Sequence, residues 1–111
     1  MNETLCGSDM HRLHPEKLIT VITSDVLEAR LVRAVKQRGA SGYTIFRAQG
    51  AGSSGEQSGM LDIDTNIVFH VVVPLAKVSA MLDALEDLGR KGHHLKVLVS
   101  EVNVLWPEKF E

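Results

Sequence analysis

Four stretches of this chain are rich in β-branched and aromatic residues, and two others repeat apolar residues at helical spacing. Lys17–Thr23, Tyr43–Gln49, Asn66–Val73 and Leu95–Val102 have strand character. Asn66–Val73 is almost wholly apolar, which predicts a central strand, and Pro74 ends it. After the first strand, Leu27, Leu31, Ala34 and Val35 recur every three or four residues, while Glu28, Arg30, Arg33, Lys36, Gln37 and Arg38 take other positions. Ser24-Asp25 offers N-cap chemistry, with Glu28 three residues after Asp25 as in a capping box. Gly39 follows a basic last turn and reads as the stop. Val78, Met81, Leu82, Leu85 and Leu88 make a second helical stripe, closed by Gly89. Trp106-Pro107 and Phe110 form an apolar tail that needs something to pack on.

The order is therefore β-α-β, a loop, then β-α-β. Right-handed crossovers in both halves predict an α+β fold, the ferredoxin-like βαββαβ, with a four-stranded antiparallel sheet and two helices on one face. The other face keeps one alternation of Leu18–Ile22 and of Ile67–Val73, more apolar surface than a small monomer exposes. Self-association is expected from that pattern, and rings or trimers are natural ways to cover such a face.

The loop is Gly50–Asp64, with four glycines and three serines and little apolar content before Met60. A structureless connection longer than about 12–15 residues is usually functional or disordered. Gly50 and Gly52 permit positive φ and close backbone approach, so their N–H groups can converge on an anion. On composition alone, a solvated hairpin tip serves equally well. Residues 1–14 are polar and unpatterned and read as a flexible N-terminal tail, leaving 15–111 as one domain.

Composition narrows the function. The chain has 111 residues and a formal net charge of −2, which argues against a nucleic-acid binder held by phosphate contacts. No apolar run approaches the ~20 residues of a membrane span, no secretory signal precedes His11, and Cys6 is alone. A cytoplasmic protein is expected. Catalytic chemistry is sparse. His70 sits in an apolar strand as a structural histidine, and His11 and His14 belong to the tail. Asp62 and Asp64 have no third carboxylate beside them, and no nucleophile can be matched to a base. The chain reads as non-enzymatic, with no metal and no covalent cofactor. Arg90-Lys91-Gly92-His93-His94, followed by Lys96, is a compact basic cluster: either a solvated turn or an anion site.

Three segments considered together carry more. Gly42-Tyr43-Thr44-Ile45 leads to Gly50-Ala51-Gly52, Val71-Val72-Val73-Pro74 precedes the second helix, and Lys96-Val97-Leu98-Val99 opens the last strand. Across roughly 18–102 the chain resembles the PII signal-transduction family. The resemblance implies a homotrimer with adenine nucleotides in the clefts between subunits. It also implies a mobile T-loop, here about 50–64, that docks on a protein partner. Carried over, Gly50 and Gly52 meet the phosphates with backbone N–H groups, with Ala51 and Ser53 in the same turn. Thr44 and Val72 line the adenine and ribose side, and Lys96 pairs with phosphate.

The departures point to one branch. The family's loop-base glutamine falls on Ser54, and the lysine that pairs with 2-oxoglutarate falls on Asn66. The Gly-x-Gly of the family's B-loop is replaced by His93 and Leu95 in a shorter loop, and the T-loop has no tyrosine to uridylylate. The C-terminal arginine pair has no counterpart beyond Lys109. A short B-loop, a Gly/Ser-rich T-loop and Asn66-Ile67-x-Phe69 look like the PII-like branch tied to inorganic carbon. That branch includes a regulator of the bicarbonate transporter and a carboxysome-associated relative. The resemblance then implies ADP or AMP as ligand, ATP as a further candidate, and bicarbonate as co-ligand at Arg47, Arg90, Lys91 or His93. The implied target of the loop is a bicarbonate transporter or a carboxysome component, with no nucleic acid and no membrane insertion. The alternatives are a nitrogen-type PII regulator and a metal-sensing or assembly trimer of similar fold, for which His93-His94 is the hint.

Overall fold

The structure, a computed structural model, describes residues 11–49 and 66–111. The elements run β1 His14–Ser24, α1 Glu28–Gln37, β2 Thr44–Ala48, β3 Asn66–Val73, α2 Leu75–Arg90 and β4 Lys96–Val104. One 3-10 turn, Asp25–Leu27, precedes α1, and another, Pro107–Phe110, follows β4. The strands form one sheet in the order β2-β3-β1-β4, every neighbouring pair antiparallel. This is the expected ferredoxin-like βαββαβ arrangement.

Period-two alternation decides which side chains meet the helices. Ile19 and Val21 of β1 stand opposite Val71 and Phe69 of β3, so all four share a face. With Ile67 and Val73 they meet Leu31 and Val35 of α1 and Met81, Leu85 and Leu88 of α2 in one core. Phe69 is its largest fully buried side chain, with the ring of Tyr43 stacked at 5.3 Å. Each such side chain contributes about 1.5–3 kcal/mol by leaving water. The intervening residues, among them Leu18, Thr20 and Ile22, Val68, His70 and Val72, Thr44 and Phe46, and Leu98, form the opposite face. No helix covers it. Phe46 and Leu98 are 46% and 52% exposed there, and His70 meets Phe46 edge-on at 5.3 Å.

Both helices end in the same way. Gly39 and Gly92 have φ of +97° and +96°. Ala40 N–H donates to the Val35 carbonyl and Gly39 N–H to Lys36, and His93 and Gly92 repeat the pattern on Leu88 and Gly89. These are Schellman caps, with glycine in the left-handed position that side chains avoid. Gly39 is the stop read from the sequence. For α2 the stop is Gly92, not Gly89, which continues the helix through Arg90.

Three other elements differ from the sequence reading. β1 begins at His14, inside the segment read as a tail, because His14–Glu16 pair with Val102–Val104 of β4 through the backbone alone. His14 is extended, so it makes no helical pair with His11. No capping box forms at α1. The Ser24 hydroxyl accepts from the N–H of Val26 at 3.3 Å, and Asp25 binds Arg47 instead. The tail folds into the turn Pro107–Phe110, where the Lys109 carbonyl accepts from Ser41 at 3.3 Å while Trp106 stays 61% exposed.

Candidate functional site

Thr44, Val72 and Lys96 all lie on the uncovered sheet face. Thr44 opens β2 opposite His70, Val72 faces Leu18, and Lys96 opens β4 opposite Ile22. β2 and β4 are the two outer strands, so three strand spacings, about 14 Å, separate them. Thr44 and Lys96 therefore do not converge within one subunit. The end of β2, at Ala48, and the start of β4, at Lys96, lie at the same end of the sheet, through the pairs Ala48–Asn66, Asn66–Ser24 and Ile22–Lys96. The chain thus leaves β2 toward Gly50 at the end where Lys96 begins β4. Gly50, Ala51, Gly52 and Ser53, and the loop 50–64 with them, lie outside the described residues.

The anion candidates divide into two places. Arg47 points to the helix side of β2, where its guanidinium donates to the Asp25 carboxylate at 3.2 Å. Arg90, Lys91 and His93 share the turn from α2 into β4. Lys91 meets Asp87 at 3.3 Å, and Arg90 approaches Glu86 and Asp87 at 3.9 Å. Exposed pairs of this kind are worth about 0–1 kcal/mol each, so an incoming anion can compete for these cations.

Two contacts position that turn. The Thr23 hydroxyl donates to the His94 carbonyl at 2.6 Å, fastening it to the end of β1. Arg30 of α1 reaches His93 Nε2 at 2.8 Å; an arginine can only donate, so Nε2 accepts. Nothing in the sequence singles out Thr23 or Arg30 as a site residue. Arg30 carries the partial signal of lying on the polar side of an amphipathic helix, but its partner is 63 positions away. Among the described residues no three His, Cys, Asp or Glu side chains are grouped to hold a metal, and no helix is long and apolar enough to cross a membrane.

A ferredoxin-like subunit with ligand-binding candidates along an uncovered sheet face is the class that fold and site define. The family model for nitrogen regulatory protein P-II matches residues 16–109, and the chain belongs to that family. Among solved structures, it is similar to CPII from Thiomonas intermedia K12 bound to ADP and bicarbonate, at 28% identity and a TM-score of 0.78, covering 90% of this chain and 98% of that one. CPII bound to ADP, AMP and bicarbonate matches at 25% identity and a TM-score of 0.76, covering 89% and 96% of the two chains. A putative PII-like signaling protein from Thermus thermophilus shares 33% identity, with a TM-score of 0.73 and coverage of 89% and 98%. No curated protein matches the sequence.

Proposed function

We propose that this chain is a PII-like regulator whose residues 15–111 form a homotrimer binding ADP or AMP between subunits, and which reports inorganic-carbon status through the loop 50–64. The observation that carries this reading is the near full-length likeness to CPII, a protein solved with ADP and bicarbonate. The placement of Thr44 and Lys96 on opposite outer strands, about 14 Å apart within one subunit, supports a site shared between subunits. The base side then comes from Thr44 and Val72 of one copy, and the phosphates meet Lys96 and the backbone N–H groups of 50–53. Bicarbonate, a small planar anion, takes charge-assisted hydrogen bonds from the Arg90–His93 turn or from Arg47. Ser54 and Asn66, where nitrogen-sensing members hold 2-oxoglutarate with glutamine and lysine, favour carbon over nitrogen as the signal. The protein regulates rather than catalyses. Its loop target is a bicarbonate transporter or a carboxysome component.

Nucleotide titrations in bicarbonate and in matched chloride test the reading. Two ligands that favour one loop state must tighten each other equally, and the expected coupling is about 1–2 kcal/mol, or roughly 5–30-fold in ADP affinity. Equal affinities in the two salts would leave a nucleotide binder that senses no carbon. Failure of ADP to bind or to raise the melting temperature would overturn the whole reading.

A further inference from the structure

The helix layer holds a second cationic site, on the opposite side of the sheet from Thr44, Val72 and Lys96. α1 and α2 run antiparallel, as the contacts at their ends show: Arg30 reaches His93 beyond α2, and Arg38 donates to the Ala80 carbonyl at 3.0 Å. Between them lies a groove of about 440 Å³. Ala34 of α1 and Ala84 of α2 line it, together with Arg30, Arg33, Arg38 and Lys91. Asp87 is the one carboxylate in the lining, and Lys91 already meets it at 3.3 Å.

The three arginines differ from the other described arginines that make contacts. Arg47 and Arg90 are spent on carboxylates. Arg30 and Arg38 are instead anchored to neutral acceptors, an imidazole nitrogen and a carbonyl oxygen. Such anchors fix a guanidinium without cancelling its charge, and each leaves most of its five N–H donors unspent. Arg33 is exposed between them, with no carboxylate partner among the described residues. The result is three guanidinium charges along about 12 Å of helix with no carboxylate partner among the described residues, in a chain of net charge −2.

We propose that this groove binds a linear oligophosphate. Charges spread over such a length suit a chain of anionic groups better than one compact anion, and the guanidinium fork matches phosphate oxygens. The volume falls in the range of small-ligand sites, about 300–1,000 Å³. An acidic protein segment fits less well. Protein interfaces are held mainly by aromatic and other buried anchors, and none of the exposed large hydrophobic residues described lines this groove. The groove shares Lys91 and His93 with the turn offered above to bicarbonate, but Arg33 and Arg38 have no part in that reading, so they test the groove by themselves.

Calorimetry on the full-length protein with sodium tripolyphosphate, in the presence of saturating ADP, tests the proposal. Binding should persist with ADP present, and Arg33→Glu should weaken it by about tenfold or more while leaving the melting temperature and the ADP affinity unchanged. Arg30→Gln provides a second loss of charge at the other end, with the same expected direction. GTP binding as tightly as tripolyphosphate, and displacing it, would show that the phosphate chain is what is read whether free or carried by a nucleoside. Four results overturn the assignment: no binding at millimolar tripolyphosphate, undiminished binding by Arg33→Glu, binding of GTP alone, or a polyglutamate decamer that displaces tripolyphosphate at lower concentration. Should ADP itself fail to bind, the same titration without it still reports on the groove.

Discussion

The hydroxyl of Thr23 bridges 71 positions of sequence to reach the carbonyl of His94 at 2.6 Å. That bond places Arg90, Lys91 and His93 at the end of the sheet where Lys96 begins β4. Thr23→Val keeps the shape and removes the donor, leaving the His94 carbonyl of this part-buried bond without its partner. The expected cost is about 1 kcal/mol in urea unfolding, with faster amide exchange across 93–95. Unchanged exchange would show that the turn is held by other contacts. At this scale the sequence is legible only where chemistry is local. Gly39 can be read as a helix stop because a glycine after a basic last turn has few other uses. The Arg30–His93 and Thr23–His94 contacts cannot, since each partner looks like an ordinary polar residue until the fold brings them together.

Elements are legible in proportion to how much apolar surface they bury. Asn66–Val73 alternates fully buried with half-buried positions and matches its expected bounds. The start of β1 is hidden in the sequence because His14, Pro15 and Glu16 pair through backbone groups and carry no hydrophobic signal. The end of α2 misleads because two glycines lie close together, and only backbone geometry tells which one takes positive φ. Those two glycines make opposite predictions. A Cβ on Gly89 would meet nothing nearer than a Leu95 methyl at 4.0 Å, so Gly89→Ala should stabilise the protein by about 0.5–1 kcal/mol. Gly92 also has open space around it, yet its φ of +96° disfavours any side chain. Gly92→Ala should therefore destabilise by about 1–2 kcal/mol. Urea midpoints at one protein concentration measure both, and shifts of the same sign would remove the Schellman assignment.

For the whole molecule, the uncovered face sets the expected assembly. The alternation of β1 and β3 makes that face legible, while the edges that meet in a trimer are not, because they depend on a second chain. Phe46 is 46% exposed on that face and packs edge-on against His70, so Phe46→Glu leaves the buried core untouched. Light scattering should give a trimer for the natural chain and a single subunit for this variant, with ADP affinity lost in step. A variant that keeps the trimer mass would place the interface elsewhere. The same sheet has one consequence for how such a protein diversifies. Ala48 pairs with Asn66, and Thr44 with His70, through alternation and backbone bonding that owe nothing to what joins β2 to β3. The entropy of closing a connection grows only with the logarithm of its length, about 0.6 kcal/mol per doubling. Residues 49–65 are in that sense a cassette: their length and wording can change while the pairing of β2 with β3 stays intact.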